Sequence, residues 1–288
     1  MNVLVLGGGG QVARAVAASV PSNHKVLLKT RQDLDITDEA AVTAAVAGSG
    51  AGWVVNGAGY TAVDLAEDQA AQAFGINDTA VGSLAQAAFR TGCRLLHFST
   101  DFVFDGNCGR AYRPGDEPNP LGVYGKSKLA GERRVLAQDA GGIVLRTAWV
   151  YAAHGRNFVL TMLRLMREKE SLSVVCDQVG TPTWASGIAA AVWDLIEADA
   201  PGGVYHWTDL GVASWYDFAV AIQEEALARG LLRRAVPITP IPSAAYPTRA
   251  LRPSFSVLDT GSTRTLIRAP ARHWRQNLRS MLDELRTP

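Results

Sequence analysis

The chain has 288 residues, 48% apolar and 19% charged, the proportions of an ordinary globular protein long enough for one large domain or two smaller ones. A formal net charge of +1 excludes a broad electrostatic partner, so neither nucleic acid nor an anionic membrane surface is expected. No stretch approaches the roughly 18 apolar residues of a membrane span, and Cys93, Cys108 and Cys176 are odd in number and lack CxxC spacing, which gives no disulfide framework and no metal site.

The opening MNVLVLGGGG has no basic n-region and only a short apolar run. It reads as a buried strand, Asn2–Leu6, not a signal peptide, and a reducing, cytoplasmic setting is expected. A helix over Gln11–Val20 is stopped by Pro21. Lys25–Lys29 is a second strand, Asp38–Ala47 a helix whose acidic first turn suits the helix dipole, and Trp53–Asn56 a third strand. One or two helices fill Ala66–Thr91, with a break near Gly75. Arg94–Ser99 is a strand, Val123–Gln138 a helix and Gly142–Thr147 a strand. This alternation predicts an α/β fold, a Rossmann-like doubly wound parallel sheet covered on both faces.

A helix-poor break follows Trp149. Helices are expected over Asn157–Arg167, Ala185–Ala198, Ser214–Arg229 (capped by Ser214) and Arg272–Leu285, with a strand at Gly203–Trp207. Five prolines in Pro237–Pro253 predict an ordered extended loop and no regular element. The expected division is a dinucleotide-binding domain over 1–150 and a smaller C-terminal substrate-binding lobe over 151–288, with segments near 178–210 returning to the sheet.

The first candidate site is the turn after the first strand. Gly7, Gly10 and Ala13 are spaced GxxGxxA, which lets backbone N–H groups approach a pyrophosphate at a helix N-terminus; Gln11 and Val12 belong to the same turn. Arg31 lies 24 residues past Gly7, where a carboxylate would favour NAD and an arginine accommodates a 2′-phosphate. NADPH is therefore the expected cofactor, with NADH the alternative, and Asp35 and Ile36 flank the adenine. After the third strand, Gly59, Tyr60 and Thr61 occupy a small-residue turn suited to a flat cofactor. Ser99-Thr100-Asp101 ends a strand at the same carboxyl edge. Tyr124 and Lys128 stand four apart on one helix face, and the ammonium is expected to lower the tyrosine pKa.

With these motifs in hand, the chain resembles the dTDP-4-dehydrorhamnose reductases, in the extended branch of the short-chain dehydrogenase/reductases. The resemblance rests on STDFVFDG, PNPLGVYGKSKLAGE, RTAWVYAAHGRNFVLTMLRL, DQVGTPTWA, YHWTDLGVASWYDFA and AYPTRALRP, and extends over essentially the whole chain. It implies hydride transfer from NADPH to the C4 ketone of a dTDP-linked 6-deoxy-hexulose. It makes Tyr124 the proton donor, assigns Lys128 to the nicotinamide ribose and Thr100 to the carbonyl oxygen, and places Asp101, Trp149, Asn157 and Arg252 on the nucleotide sugar, with Arg252 at its diphosphate. Some members of that family resemble magnesium-bridged dimers built on glutamates; the matching positions here are Ala15 and Ser186, so no metal is expected, and the chain is taken as a monomer or homodimer. Leu65 replaces a family lysine.

Two alternatives stay open. One is a reductase or epimerase of another nucleotide 4-keto sugar, since thymine and uracil differ by a methyl group worth only about 1–3 kcal/mol. The other is a non-catalytic NADP-binding subunit resembling the regulatory subunit of methionine adenosyltransferase, against which the set Thr100, Tyr124, Lys128, Trp149 and Arg252 argues.

Overall fold

The computed structural model describes residues 1–138, 141–270 and 272–286. The first half alternates as expected: β1 (Asn2–Leu6), α1 (Gln11–Ala18), β2 (Lys25–Lys29), α2 (Glu39–Ser49), β3 (Trp53–Asn56), α3 (Val63–Ala66), α4 (Ala70–Phe74), α5 (Ala80–Arg90), β4 (Arg94–Thr100), α6 (Val123–Leu136) and β5 (Ile143–Thr147). The second half runs β6 (Val150–Tyr151), α7 (Phe158–Glu168), β7 (Leu172–Val175), β8 (Val179–Gly180), β9 (Thr183–Trp184), α8 (Ala185–Glu197), β10 (Gly203–His206), β11 (Ala213–Ser214), α9 (Trp215–Ala228), β12 (Ile238–Ile241), α10 (Gly261–Arg264) and α11 (Trp274–Glu284).

Six strands form one parallel sheet in the order β10-β5-β4-β3-β1-β2. Side chains alternate across it, so consecutive residues feed different cores. Val3, Val5, Val55 and Leu145 pack with Val16 of α1 and with Ile188 and Val192 of α8. Leu4, Leu6, Val54 and Val144 pack on the other face with Val42, Leu84 and Val135 of α2, α5 and α6. Both faces are covered, which is why these strands read as apolar runs. The winding direction reverses where β1 sits between β2 and β3. At that switch point the connecting loops part and leave a crevice at the carboxyl ends of the strands.

A third core joins α7, α9 and α11 through Val159, Leu163, Phe218, Ile222, Leu278 and Met281. Small two-stranded ladders, β11 with β8, β12 with β7 and β6 with β9, stitch this region together. Local signals set the helix ends. Asp38 accepts a hydrogen bond from Ala41 N at the start of α2. Ser214 and Asp217 cap α9 reciprocally.

Two expectations need correction. The proline-rich stretch does contain a strand: β12 pairs with β7 and places Pro240 opposite Val174. A two-stranded ladder leaves one side of each strand free of partners, so a residue without an N–H is accepted there. The break near Gly75 is a single π-helical turn, Gly75–Thr79, between α4 and α5. Among the described residues no helix is long and apolar enough to cross a membrane.

Candidate active site

The floor of the crevice follows from backbone geometry. Gly7 has φ +80, and a Cβ there would lie 2.5 Å from Ala58 N, so β1 and β3 approach each other as only glycine permits. Gly10 N donates to Gly7 O at 2.8 Å, and no side chain caps α1. The first-turn N–H groups of α1 are therefore left for a ligand, and an anionic phosphate suits them. Gly7, Gly10, Arg31, Asp35, Ile36, Gly59 and Thr61 line a cavity of about 270 Å³, together with Leu34, Ala58 and Ile76. The residues present fit a dinucleotide.

Other members of the expected cofactor set sit outside these walls. The Val12 side chain packs against the first core, which leaves its backbone N–H for the cradle. Gln11 Oε1 accepts from Asn157 Nδ2 at 2.8 Å, tying α1 to the C-terminal half. Tyr60 donates its hydroxyl to Gln69, and its backbone is held on both sides by Asn77. The Arg31 guanidinium is exposed at the rim, 3.9 Å from Asp35. Hydrogen bonds from Thr37 hold the Asp35 carboxyl below its ordinary range.

Thr100, Tyr124 and Lys128 are brought together beside this crevice. Glu67 accepts from Val123 N at 2.8 Å and fixes the start of α6. Gly125 lets α6 lie on the turn after β4, where a Cβ would overlap the carbonyl of Phe102. The Tyr124 hydroxyl is hydrogen-bonded with the Thr100 side chain. Thr100 in turn donates to Asp101 Oδ1 at 2.9 Å and accepts from Phe102 N. Lys128 is buried, donates to the carbonyl of Phe98 at 2.6 Å, and would lie 3.9 Å from a Cβ on Gly59.

The protonation states differ from the sequence expectation. Burial pushes the Tyr124 phenol up to about 12; the Thr100 hydrogen bond opposes this and the Asp101 carboxylate adds to it. Lys128 does not lower it. Its Nζ is turned to Phe98 O and His97 Nε2, and burial brings the amine itself down to about 8. Burial also raises Asp101 to about 6, against hydrogen bonds from Ser256 and Thr100. The consequence is a phenol that keeps its proton at neutral pH and has one to give.

Three expected substrate contacts are placed differently from one another. Trp149 adopts φ 47 and stacks flat on Trp215, ring centres 3.5 Å apart, with Gly180 against its indole. The left-handed conformation is strained for a bulky residue and aims the ring. Asn157 is occupied as a clamp: it caps α7 through Leu160 N and donates to Gln11, Ala152 O and His154 O. Arg252 pairs bidentately with Asp64 at 2.7 and 3.1 Å and also donates to Ala250 O. Both side chains already hold partners within the protein, as buried and half-buried polar groups do.

Sequence reasoning passed over the polar groups behind the site. Asn56, Asn77 and His97 are all fully buried. Asn77 Nδ2 donates to Ser127 Oγ, next to Lys128 on α6. Arg146 and Glu132 form a buried bidentate pair at 2.6 and 2.8 Å. The only available signal was a polar residue interrupting an apolar run, as in WVVN and RLLHFST.

A protonated phenol one helical turn from a lysine, at the mouth of a Rossmann crevice, is the apparatus of a dinucleotide-dependent reductase of the short-chain dehydrogenase type. The comparisons agree. The family model described as RmlD substrate binding domain matches residues 1–287. The chain is 38% identical to the dTDP-4-dehydrorhamnose reductase of Aggregatibacter actinomycetemcomitans, over 97% of this chain and 98% of that one. The crystal structure of a dTDP-4-dehydrorhamnose reductase from Clostridium acetobutylicum superposes with TM-score 0.94 at 37% identity, covering all of both chains. That of the Bacillus anthracis dTDP-4-dehydrorhamnose reductase, in complex with NADP, gives TM-score 0.93 at 30% identity, over 98% of this chain and 99% of that one. The chain belongs to the dTDP-4-dehydrorhamnose reductase family.

Proposed function

We propose that the protein is an NADPH-dependent reductase of the C4 ketone of dTDP-4-dehydro-L-rhamnose, with dTDP-L-rhamnose as product. The observation that carries the site assignment is the convergence of Thr100, Tyr124 and Lys128 at the edge of the glycine-floored crevice. When bound, the nicotinamide supplies a hydride to C4. Tyr124 gives its proton to the C4 oxygen as negative charge develops there, and the alcohol leaves a phenolate that must be reprotonated. Thr100 orients the carbonyl, and its hydrogen bond strengthens as that charge grows. Lys128 holds the nicotinamide ribose. Asp101, Trp149, Asn157 and Arg252 contact the sugar nucleotide, with Arg252 at its diphosphate and its guanidinium oriented by the pair with Asp64.

Arg31 at the rim supports NADPH over NADH through the 2′-phosphate. The free cysteines 93, 108 and 176 support a reducing, cytoplasmic setting. Mixing the protein with NADPH and dTDP-4-dehydrorhamnose tests the proposal. Loss of the reduced-nicotinamide absorbance, dependent on both additions, is expected. Tight NADPH binding with no turnover would point instead to a non-catalytic NADP-binding subunit.

A further inference from the structure

Behind Lys128 a chain of hydrogen bonds has a direction. Ala58 N donates to Asn56 Oδ1 at 3.0 Å, which fixes how the Asn56 amide is turned. Its Nδ2 then faces His97 Nδ1 at 3.0 Å. An amide nitrogen has only donors, so Nδ1 is the acceptor. Both residues are fully buried, and burial alone disfavours the charged imidazolium of His97, so its ring is neutral. A neutral ring with Nδ1 bare carries its one proton on Nε2. That N–H points at Lys128 Nζ, 3.1 Å away, while Nζ also meets the carbonyl of Phe98.

An ammonium group has three donors and no acceptor, so it would set N–H against N–H across the His97–Lys128 contact. A neutral amine accepts from His97 and donates to Phe98. The run from Ala58 through Asn56 and His97 to Lys128 is thus satisfied at every link only when Lys128 has lost its proton. To take the proton up, His97 must change tautomer and the Asn56 amide must turn over, which leaves the Ala58 N–H facing another donor. Ala58 lines the cofactor crevice.

We propose that Asn56 and His97 are positioning residues that set the proton affinity of Lys128 and tie its charge to the Gly57–Gly59 turn under the cofactor. The titratable groups acting on Lys128 are His97 from β4 and Glu132 from its own helix, with Tyr124 one turn back on that helix. Glu132 favours the charged amine but is already bound by Arg146 of β5. The lowered value of about 8 for Lys128 agrees with this direction. The functional consequence rests on the reductase reading, in which Lys128 and its neighbour Tyr124 meet cofactor and substrate.

The test uses the intact protein in two ways. Nitrogen-15 NMR of histidine-labelled protein reads the tautomer directly, with the His97 signals identified by their loss in His97→Gln. The Nε2–H form is expected, and an Nδ1–H form overturns the proposal whatever the catalytic reading turns out to be. The second measurement is the pH profile of kcat/KM, paired with that of NADPH affinity. In Asn56→Asp, the carboxylate accepts from both Ala58 N and His97 Nδ1–H and turns Nε2 into an acceptor for the ammonium. In His97→Gln, the amide keeps its oxygen towards Asn56 Nδ2 and its N–H towards Lys128, so the donor-to-donor contact is preserved. Asn56→Asp should move the Lys128 limb upward by about one pH unit or more, consistent with a new charge and a new acceptor beside a buried amine, while His97→Gln should leave it nearly in place. A uniform drop at every pH in Asn56→Asp with the limb unmoved would mean a structural role only and sink the idea. Absence of turnover with normal NADPH binding would count against the reductase reading alone, since the tautomer and the affinity profile still report on Lys128.

Discussion

Tyr124 and Arg31 make separable contributions, and single substitutions distinguish them. Tyr124→Phe keeps the ring that meets Phe102 edge-on and removes only the hydroxyl. Turnover should fall by about 10²–10⁴-fold, the usual worth of a positioned proton donor, while the NADPH dissociation constant stays nearly unchanged. Wild-type turnover in that variant would remove Tyr124 as the donor. Arg31 is exposed at the crevice rim and its ion pair with Asp35 is long, so Arg31→Ala should leave stability nearly unchanged. It should narrow the preference for NADPH over NADH, measured as the ratio of kcat/KM values; an unchanged ratio dissociates Arg31 from the 2′-phosphate. At this scale the sequence was informative where chemistry leaves a spacing. Tyr124 and Lys128 are one helical turn apart and Gly7 and Gly10 bracket one turn, so both sets could be found by counting. Asn56 and His97 are 41 positions apart and meet only because β3 and β4 pair in register. The sign of the Tyr124 shift was also beyond reach, since burial outweighs any neighbouring charge and burial is a property of the packed site.

Strands and helices of the first half were legible because each residue type answers to the same two-faced core. The π turn at Gly75–Thr79 was visible only as a weakness at Gly75, because inserting one residue into a helix leaves no pattern of its own. Its purpose becomes plain in three dimensions. The extra residue presents Asn77 to the Tyr60 backbone and to Ser127, locking the turn after β3 to α6. Gly131 of α6 makes the approach feasible, since a Cβ there would overlap the Asn77 carbonyl. Two glycine substitutions should therefore behave oppositely. Gly131→Ala forces the helix that carries Tyr124 and Lys128 away from the π turn, at a cost of about 1–3 kcal/mol or more, with a matching loss of turnover. Gly75→Ala meets no atom within 4 Å and keeps a helical φ of −53, so it should stabilise by about 0.5–1 kcal/mol through the unfolded chain. Thermal melts of the two variants decide the matter: equal shifts would mean that the contact between α6 and the π turn does not position the site.

At the scale of the whole molecule, buried histidines and buried aspartates among the described residues oppose one another. Burial lowers His206 to about 3, assisted by Arg146, and lowers His97 well below 6.5. Burial raises Asp101 to about 6 and Asp209 to about 7. A histidine with a depressed folded value contributes stability that is lost as pH falls below the unfolded value of 6.5. An aspartate with a raised folded value does the reverse: its contribution is complete below the unfolded value of 3.8 and is lost as pH rises towards the folded one. Between about pH 4.5 and 5.5 the unfolded chain binds a proton on His206 that the folded chain does not, a slope of about 1.4 kcal/mol of stability gained per unit of rising pH; Asp101 and Asp209 contribute in the opposite sense. His206→Gln isolates the histidine slope. His206 is a neutral ring donating from Nδ1 to Tyr112 O, and the amide of glutamine replaces it without a titrating group. In urea unfolding the stability of the variant relative to the parent should therefore fall by about 1.4 kcal/mol for each unit of rising pH in that window. Parallel profiles for the two proteins would show that His206 is not held neutral in the fold, and that the β5–β10 edge, where Arg146 and His206 lie opposite each other, is open enough to let a proton in.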